Sequence, residues 1–296
     1  MIRIRISRRG RGLLVRTPAK INLVLEVLRR RPDGYHDIDS VFQAIGLWDS
    51  MVVTPRREGT TIACRAPGVP TGPENTIWKA VEALRAASGR RDGVAVRLTK
   101  RIPSGGGLGG GSGNAAGVLL ALDRLWGLRW PAARLGAVAA RVGSDVPYFL
   151  RGGTARCRGR GERVKALPGI PGVPCLLVVP PFGLSTGEVY RRLKVSLTSP
   201  GPVVSLFLNR FRHEGRMPVG GIFPFNRLEA PAFDVEPRLR RLKDELARRG
   251  WSGIWMTGSG STLVCPRASW AGLDADRVRL SRMVPRGVRV IRPDRA

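Results

Sequence analysis

The sequence predicts an α+β protein of two packed domains, and three observations carry that expectation. A chain of 296 residues, 43% of them hydrophobic, can bury a substantial core and is long enough for two domains. Segments with the two-residue period of strands alternate along it with segments of helical period. A proline- and glycine-rich break at 168–174 then divides the chain, giving domains over 1–168 and 169–296.

The elements follow in chain order. Residues 1–16 hold six arginines and no acid, with Ile2, Ile4 and Ile6 alternating against polar neighbours, and are expected as an edge strand or a loose arm. Ile21, Leu23, Leu25 and Val27 form a strand buried largely on both faces, ended by the turn residues Pro32, Asp33 and Gly34. An apolar run over 41–48 and a short strand over 51–54 precede a Pro/Gly-rich loop at 67–73. A helix begins near Asn75 and stops at Ser88 and Gly89. A strand over 94–98 leads into a glycine stretch, and residues 112–126, apolar almost all round, read as a helix sunk in a core. Another helix spans 132–142 and ends at Gly143. Beyond the break come a strand at 176–179, a helix at 186–193, a poorly patterned stretch at 196–221, a helix at 237–249, and strands at 253–256 and 262–265.

Composition narrows the function classes. Fifty-one basic against 22 acidic residues give a net charge of +29, which attracts polyanions through long-range fields. The arginines are scattered in small groups (Arg29 to Arg31, Arg56 and Arg57, Arg156/Arg158/Arg160, Arg238/Arg240/Arg241, Arg248 and Arg249) without the interleaved aromatics of a base-stacking strip. Only six of the 51 cations are lysines, so a general preference for arginine and a solvated basic surface are expected, and no specific nucleic-acid binding. No apolar run reaches membrane-spanning length. The basic N-terminus lacks a signal peptide's apolar core, and a cytoplasmic location is expected. Cys64, Cys157, Cys175 and Cys265 lie far apart with no C-x-x-C pair, which argues against zinc and disulfides and for buried reduced thiols.

The densest chemical signal runs Pro103-Ser104-Gly105-Gly106-Gly107-Leu108-Gly109-Gly110-Gly111-Ser112-Gly113, with seven glycines in the last nine residues. Each glycine gives up extra conformational entropy on folding, so such a density needs a use. An anion cradle is that use: without Cβ atoms, successive N–H groups approach phosphate oxygens closely, and the following helix adds its N-terminal partial charge. Ser112 is expected to cap that helix or to touch a phosphate or metal. Gly105, Gly107 and Gly110 also satisfy G-x-G-x-x-G, but Asp123 falls inside the helix and not at the end of a second strand, as a dinucleotide site requires. No Gly-Lys-Ser/Thr follows, which excludes a P-loop.

Further segments join the glycine stretch in register: Pro18-Ala19-Lys20-Ile21-Asn22, Asp33-Gly34-Tyr35-His36, Gly143-Ser144-Asp145-Val146-Pro147 and Thr257-Gly258-Ser259-Gly260-Ser261. Together they resemble the GHMP kinase superfamily, in order from about residue 17 to 265, and most nearly its members that act on a cytidine diphosphate acceptor in non-mevalonate isoprenoid synthesis. The resemblance implies a two-domain GHMP kinase fold: an N-terminal ATP-binding domain like ribosomal protein S5 domain 2, and a ferredoxin-like C-terminal domain. It implies ATP with Mg2+ as phosphoryl donor, Asp145 as general base, and Lys20 as the cation that orients acceptor and base. On the residues alone, Asp145 could equally cap a helix and Lys20 could be a solvated charge. The resemblance further implies Tyr35 and Tyr190 as stacking partners of the cytosine, His36 as reader of its edge, Asn22 and Thr186 as acceptor contacts, Asn75 at the adenine, and Thr257 and Gly258 beside the phosphates. Their alternatives are a hairpin with incidental neighbours, helix core, a helix cap and a hairpin turn. No metal ligand is assigned. Gly113 stands where the family often has serine. The partners expected are small molecules, with a monomer or homodimer and no membrane. The competing readings are another kinase of the superfamily, for homoserine, mevalonate or a sugar, and a basic nucleic-acid-binding protein on the same scaffold.

Overall fold

Of the alternating isoleucines of the N-terminus, Ile6 falls within strand β1 (Arg5–Arg9), which pairs antiparallel with β2 (Gly12–Arg30), Arg5 opposite Arg16. Of the two expectations for this segment, the edge strand is the one realised. Both guanidinium groups lie over the Trp48 ring, 4.9 and 5.5 Å from its centre, so an aromatic face offsets a like-charged cross-strand pair. The computed structural model describes residues 1–169, 175–193, 202–215, 223–266 and 289–291. Its contacts divide the chain into two units: Met1–Lys20, Gln43–Ser104 and Gly109–Leu167 in the first, Ile21–Phe42, Gly105–Leu108 and Pro168–Ala296 in the second.

The larger sheet has the strand order β1-β2-β3-β5-β4, with β3 at His36–Arg56, β4 at Thr60–Cys64 and, after helix α1 (Thr76–Ser88), β5 at Gly93–Thr99. β5 runs antiparallel to β3 and parallel to β4. Helices α2 (Gly110–Leu125), α3 (Ala132–Val142) and α4 (Val146–Arg151) follow, then the hairpin of β6 (Thr154–Gly159) and β7 (Arg163–Ala166), β6 pairing with β3. Ala115, Ala116, Val118, Leu119, Ala121 and Leu122 are all fully buried, as the all-round apolar character of α2 requires.

The second unit holds β8 (Cys175–Val179), α5 (Thr186–Arg192), α6 (Val203–Glu214), β9 (Phe225–Asn226), α7 (Glu229–Val235), α8 (Pro237–Arg248), β10 (Trp255–Met256), β11 (Leu263–Pro266) and β12 (Arg289–Ile291). Its antiparallel sheet has the order β10-β11-β8-β12, while β9 adds in parallel to β2 at Val24 and Leu25. Leu176, Val178 and Leu263 pack with Leu239, Leu242 and Leu246 of α8 and with Ala232 and Phe233 of α7.

Several expectations are corrected. The apolar run at 41–48 and the strand at 51–54 are one strand, β3, because the polar pair Asp49 and Ser50 between them continues it. Helix α2 starts at Gly110 with Gly109 as its cap, so Ser112 lies in the first turn and does not cap it. The stretch at 196–221 is not uniformly patternless: α6 occupies part of it, burying Val204, Phe207, Leu208 and Phe211 at helical spacing. Residues 196–201 and 216–221 of that stretch, and residues 170–174 of the break, lie outside the described residues. Cys157, Cys175 and Cys265 are buried as expected, whereas Cys64 is only half-buried. Burial pushes the Cys175 thiol up to about 12 and raises that of Cys265 as well.

Candidate active site

In the first unit, Lys20 and Asp145 meet. The lysine lies in β2 with its side chain 4% exposed, and its Nζ is 3.6 Å from Oδ2 of Asp145, whose side chain is 28% exposed. Asp145 occupies the cap position of α4 but makes no side-chain cap hydrogen bond, so the capping alternative is not taken up. Oδ1 of Asp145 faces Gly161 in the β6–β7 turn, where an added Cβ would come within 3.4 Å. Tyr148 of the same helix donates from its hydroxyl to the Gly153 carbonyl at 2.8 Å, anchoring α4. Burial raises the Tyr148 phenol well above its ordinary value, keeping it a neutral donor.

The glycine stretch reaches this pair. Gly109 has φ +70°, and a Cβ there would stand 2.8 Å from Phe149 Cζ and 3.1 Å from Lys20 Cγ. Gly113 backs on the Pro18 carbonyl, 3.2 Å from its would-be Cβ. The first turn of α2 has no side-chain cap and no acid, the condition in which its leading amides suit an anion. Thr76 Oγ1 donates to the Gly111 carbonyl at 2.9 Å. Pro103 is buried, while Ser104, at the mouth of the stretch, is exposed. Asn75 Oδ1 accepts from Ile77 N at 2.8 Å, capping α1, and its Nδ2 donates to the Pro70 carbonyl at 2.5 Å, which leaves one amide proton for a ligand.

In the second unit, Gly105 to Leu108 lie on the 257–262 loop. A Cβ on Gly107, at φ +75°, would be 2.2 Å from the Thr257 carbonyl oxygen, and one on Gly106 would be 2.6 Å from Thr262 Oγ1. That buried hydroxyl has no hydrogen-bond partner among the described residues. A cradle that a Cβ would fill, beside an orphaned hydroxyl, suits a phosphate chain. Asn22 is buried: its N–H donates to Thr257 Oγ1 at 3.0 Å, its Nδ2 to Ser40 Oγ at 3.0 Å, and its carbonyl accepts from Trp255 Nε1 at 2.7 Å. Thr186 Oγ1 and Ser259 Oγ are 2.8 Å apart. Sequence reasoning missed Asn226, whose Nδ2 donates to the carbonyls of Met256 and Gly258 at 2.7 and 2.8 Å, buckling the 257–261 loop. Its place in a two-residue strand leaves no periodic signal in the sequence.

The turn between β2 and β3 carries the aromatic pair. Asp37 holds Arg29 and Arg31 at 2.7 and 2.8 Å, and these hydrogen bonds, Arg31 first, lower its carboxyl. Tyr35 is 53% exposed, and the ring facing Tyr190 is that of His36, 4.9 Å away at 30°. Burial, and then Arg30, lower the His36 imidazole below its ordinary value, so the ring is neutral at pH 7.

Among the described residues no group of three or more histidine, cysteine or acidic side chains could hold a metal ion, and no helix is long and apolar enough to cross a membrane.

Residues 75–153 match the family described as GHMP kinases N terminal domain. The chain is 41% identical over 246 residues to the 4-diphosphocytidyl-2-C-methyl-D-erythritol kinase of Pelotomaculum thermopropionicum, covering 83% of this chain and 85% of that protein. It is 39% identical over 252 residues to the enzyme of the same name from Carboxydothermus hydrogenoformans, covering 85% and 87%. A crystal structure of 4-(cytidine 5'-diphospho)-2C-methyl-D-erythritol kinase superposes with a TM-score of 0.74 at 36% identity, covering 94% of this chain and 97% of that one. The Methanococcus jannaschii mevalonate kinase shares the fold, at 13% identity and a TM-score of 0.65.

Proposed function

Because the chain belongs to the GHMP kinase family, among the 4-diphosphocytidyl-2-C-methyl-D-erythritol kinases, we propose that it transfers the γ-phosphate of ATP to the 2-hydroxyl of 4-(cytidine 5'-diphospho)-2-C-methyl-D-erythritol. The observation that carries this reading is the Lys20–Asp145 pair, 3.6 Å apart, with Gly109 packed against the lysine stem. Phosphoryl transfer asks for little covalent chemistry from the protein; it asks for positioning and charge neutralisation.

Asp145 takes the proton of the acceptor hydroxyl as its oxygen bonds to the γ-phosphorus and the bond from that phosphorus to the β–γ bridging oxygen breaks, releasing ADP; Lys20 holds the carboxylate and offsets charge developing on the transferred group. Amides of Ser104 to Ser112 cradle the phosphates, whereas that of Gly113, expected among them, is already donated to the Gly109 carbonyl at 2.9 Å. ATP would enter with Mg2+, which would neutralise charge on the phosphates; none of the described residues is assigned to hold it. Asn75 offers its remaining amide proton to the adenine. The His36 and Tyr190 rings leave no room for a base between them, so the cytosine lies against Tyr35, with the His36 edge reading it and Tyr190 holding the imidazole. Asn22 and Thr186 shape the acceptor's surroundings. In chain order the ATP-binding domain runs over 1–168 and the C-terminal domain over 169–296, with 21–42 and 105–108 of the former grouping with the second unit, in a cytoplasmic enzyme.

Replacement of Asp145 tests the reading. Asp145→Asn should lower kcat by roughly 10²–10⁴-fold, the usual worth of a positioned general base, with an unchanged denaturation midpoint. Near wild-type turnover would remove Asp145 from the chemistry.

A further inference from the structure

Asp49 is a fully buried carboxylate that accepts from four partners, and the reaction assigned above does not use it. It lies in the middle of β3 with its side chain fully buried. Oδ1 accepts from the consecutive amides of Arg101 and Ile102 at 2.7 and 2.9 Å. Oδ2 accepts from Asn114 Nδ2 at 3.0 Å and pairs with the Lys100 ammonium. Asn114 in turn accepts from Thr17 Oγ1 of β2 at 2.7 Å. Residues 101 and 102 are the last before the glycine stretch, and Asn114 is the first after it. The Lys100 ammonium stands where a Cβ on Gly110 would be 2.8 Å away. One buried carboxylate therefore ties both stems of the stretch to a central strand.

A buried ion pair is weak evidence for stability, because desolvation cancels much of its attraction, whereas loss of one partner strands the other. What such a pair supplies is geometry. A run of seven glycines is the least preorganised backbone a chain can present, and amides that must be ordered by the ligand bind it more weakly than amides already aimed. We propose that Asp49 is a positioning residue for nucleotide binding: it fixes the two ends of the glycine stretch, so that ATP meets ordered amides. The inference rests on the kinase reading above.

The test measures KM for ATP and for the cytidine diphosphate acceptor separately, together with the denaturation midpoint, in Asp49→Asn and in the milder Thr17→Val. Asp49→Asn keeps the shape but turns an NH2 group toward Lys100 and Asn114. The expected result is a rise of about tenfold or more in KM for ATP, with acceptor KM within twofold of wild type. For Thr17→Val, which loses only the outer hydrogen bond, the rise is smaller and equally confined to ATP. Equal rises for both ligands, or a lowered midpoint with ATP KM unchanged, would make the network merely structural and overturn the inference. Should Asp49→Asn fail to fold, Thr17→Val decides by the same criteria. A wild-type protein that phosphorylates no acceptor would instead overturn the kinase reading, and the inference with it.

Discussion

At the scale of single residues, burial and charge sort the candidate site into groups that react, groups that hold and groups that recognise. Lys20 and Asp145 are the first kind: an ammonium removed from solvent beside a carboxylate that stays partly open to it. Lys20→Met is expected to lower kcat at least tenfold while leaving KM for ATP within a factor of about two, measured by steady-state kinetics. His36 belongs to the last kind, and its lowered proton affinity fixes the sign of a pH effect. Folding favours the neutral ring, so whatever depends on it is fully present above the ordinary imidazole value near 6.5 and is lost as pH falls through the lowered value. The acceptor KM should therefore be flat from about pH 7 upward and rise on acidification, and His36→Gln should remove that rise. Gly107 is a holding residue. Alanine there would adopt a left-handed φ and place its Cβ 2.2 Å from the Thr257 oxygen, destabilising the protein by ~3 kcal/mol in chemical denaturation.

At the scale of elements, the outcome of each expectation follows from how much of its determinant is local. Helix α1 was legible to the residue because both its ends are local chemistry: Asn75 caps it, and Gly89 closes it at φ 71°. Helix α2 was legible from its apolar surround, but its start was not, since a glycine cap has no side chain to announce it. Strand β3 appeared broken because Asp49 looks like a turn residue; only its partners at 100–102 and 114, distant in sequence, make it a buried strand residue. The residue that hid the strand is the one proposed to order the glycine stretch. The short elements α4, β6, β7 and α7 have too few residues for a period to stand out. Helix α6 did carry a stripe, at Val204, Phe207, Leu208 and Phe211, masked by flanking prolines and glycines. Within α2, Gly117 sets propensity against packing. Alanine would gain up to ~1 kcal/mol of helix propensity, yet its Cβ would meet Thr17 Cγ2 at 2.6 Å, Met51 Cε at 2.8 Å and Val15 Cγ1 at 3.0 Å. Overpacking of that kind costs ~1–3 kcal/mol, so Gly117→Ala should lower the denaturation midpoint; a raised midpoint would mean that the core yields more easily than its contacts imply.

At the scale of the whole molecule, the motifs made the reaction class legible, whereas the two tyrosines expected to sandwich the cytosine do not face each other, since the ring against Tyr190 is that of His36. The charge of +29 pointed elsewhere. Some of the arginines are engaged internally, as where Arg29 and Arg31 hold Asp37, Arg227 holds Glu26 and Arg249 holds Glu245. Glu26 is buried, while partly exposed pairs such as that of Arg249 contribute little stability each, and all of them occupy guanidinium groups that a nucleic acid would otherwise meet. The site's separate parts were each readable, but their geometry was not, because the carboxylate and the cation that meet at 3.6 Å are far apart in sequence. The account as a whole stands on acceptor-dependent phosphoryl transfer. The most direct measurement is ADP release from Mg2+-ATP with each acceptor in turn: 4-(cytidine 5'-diphospho)-2-C-methyl-D-erythritol, homoserine, mevalonate and galactose. The account predicts ADP release, matched by phosphorylated product, with the cytidine diphosphate compound alone; release with no acceptor present, or a preference for one of the others, would contradict it.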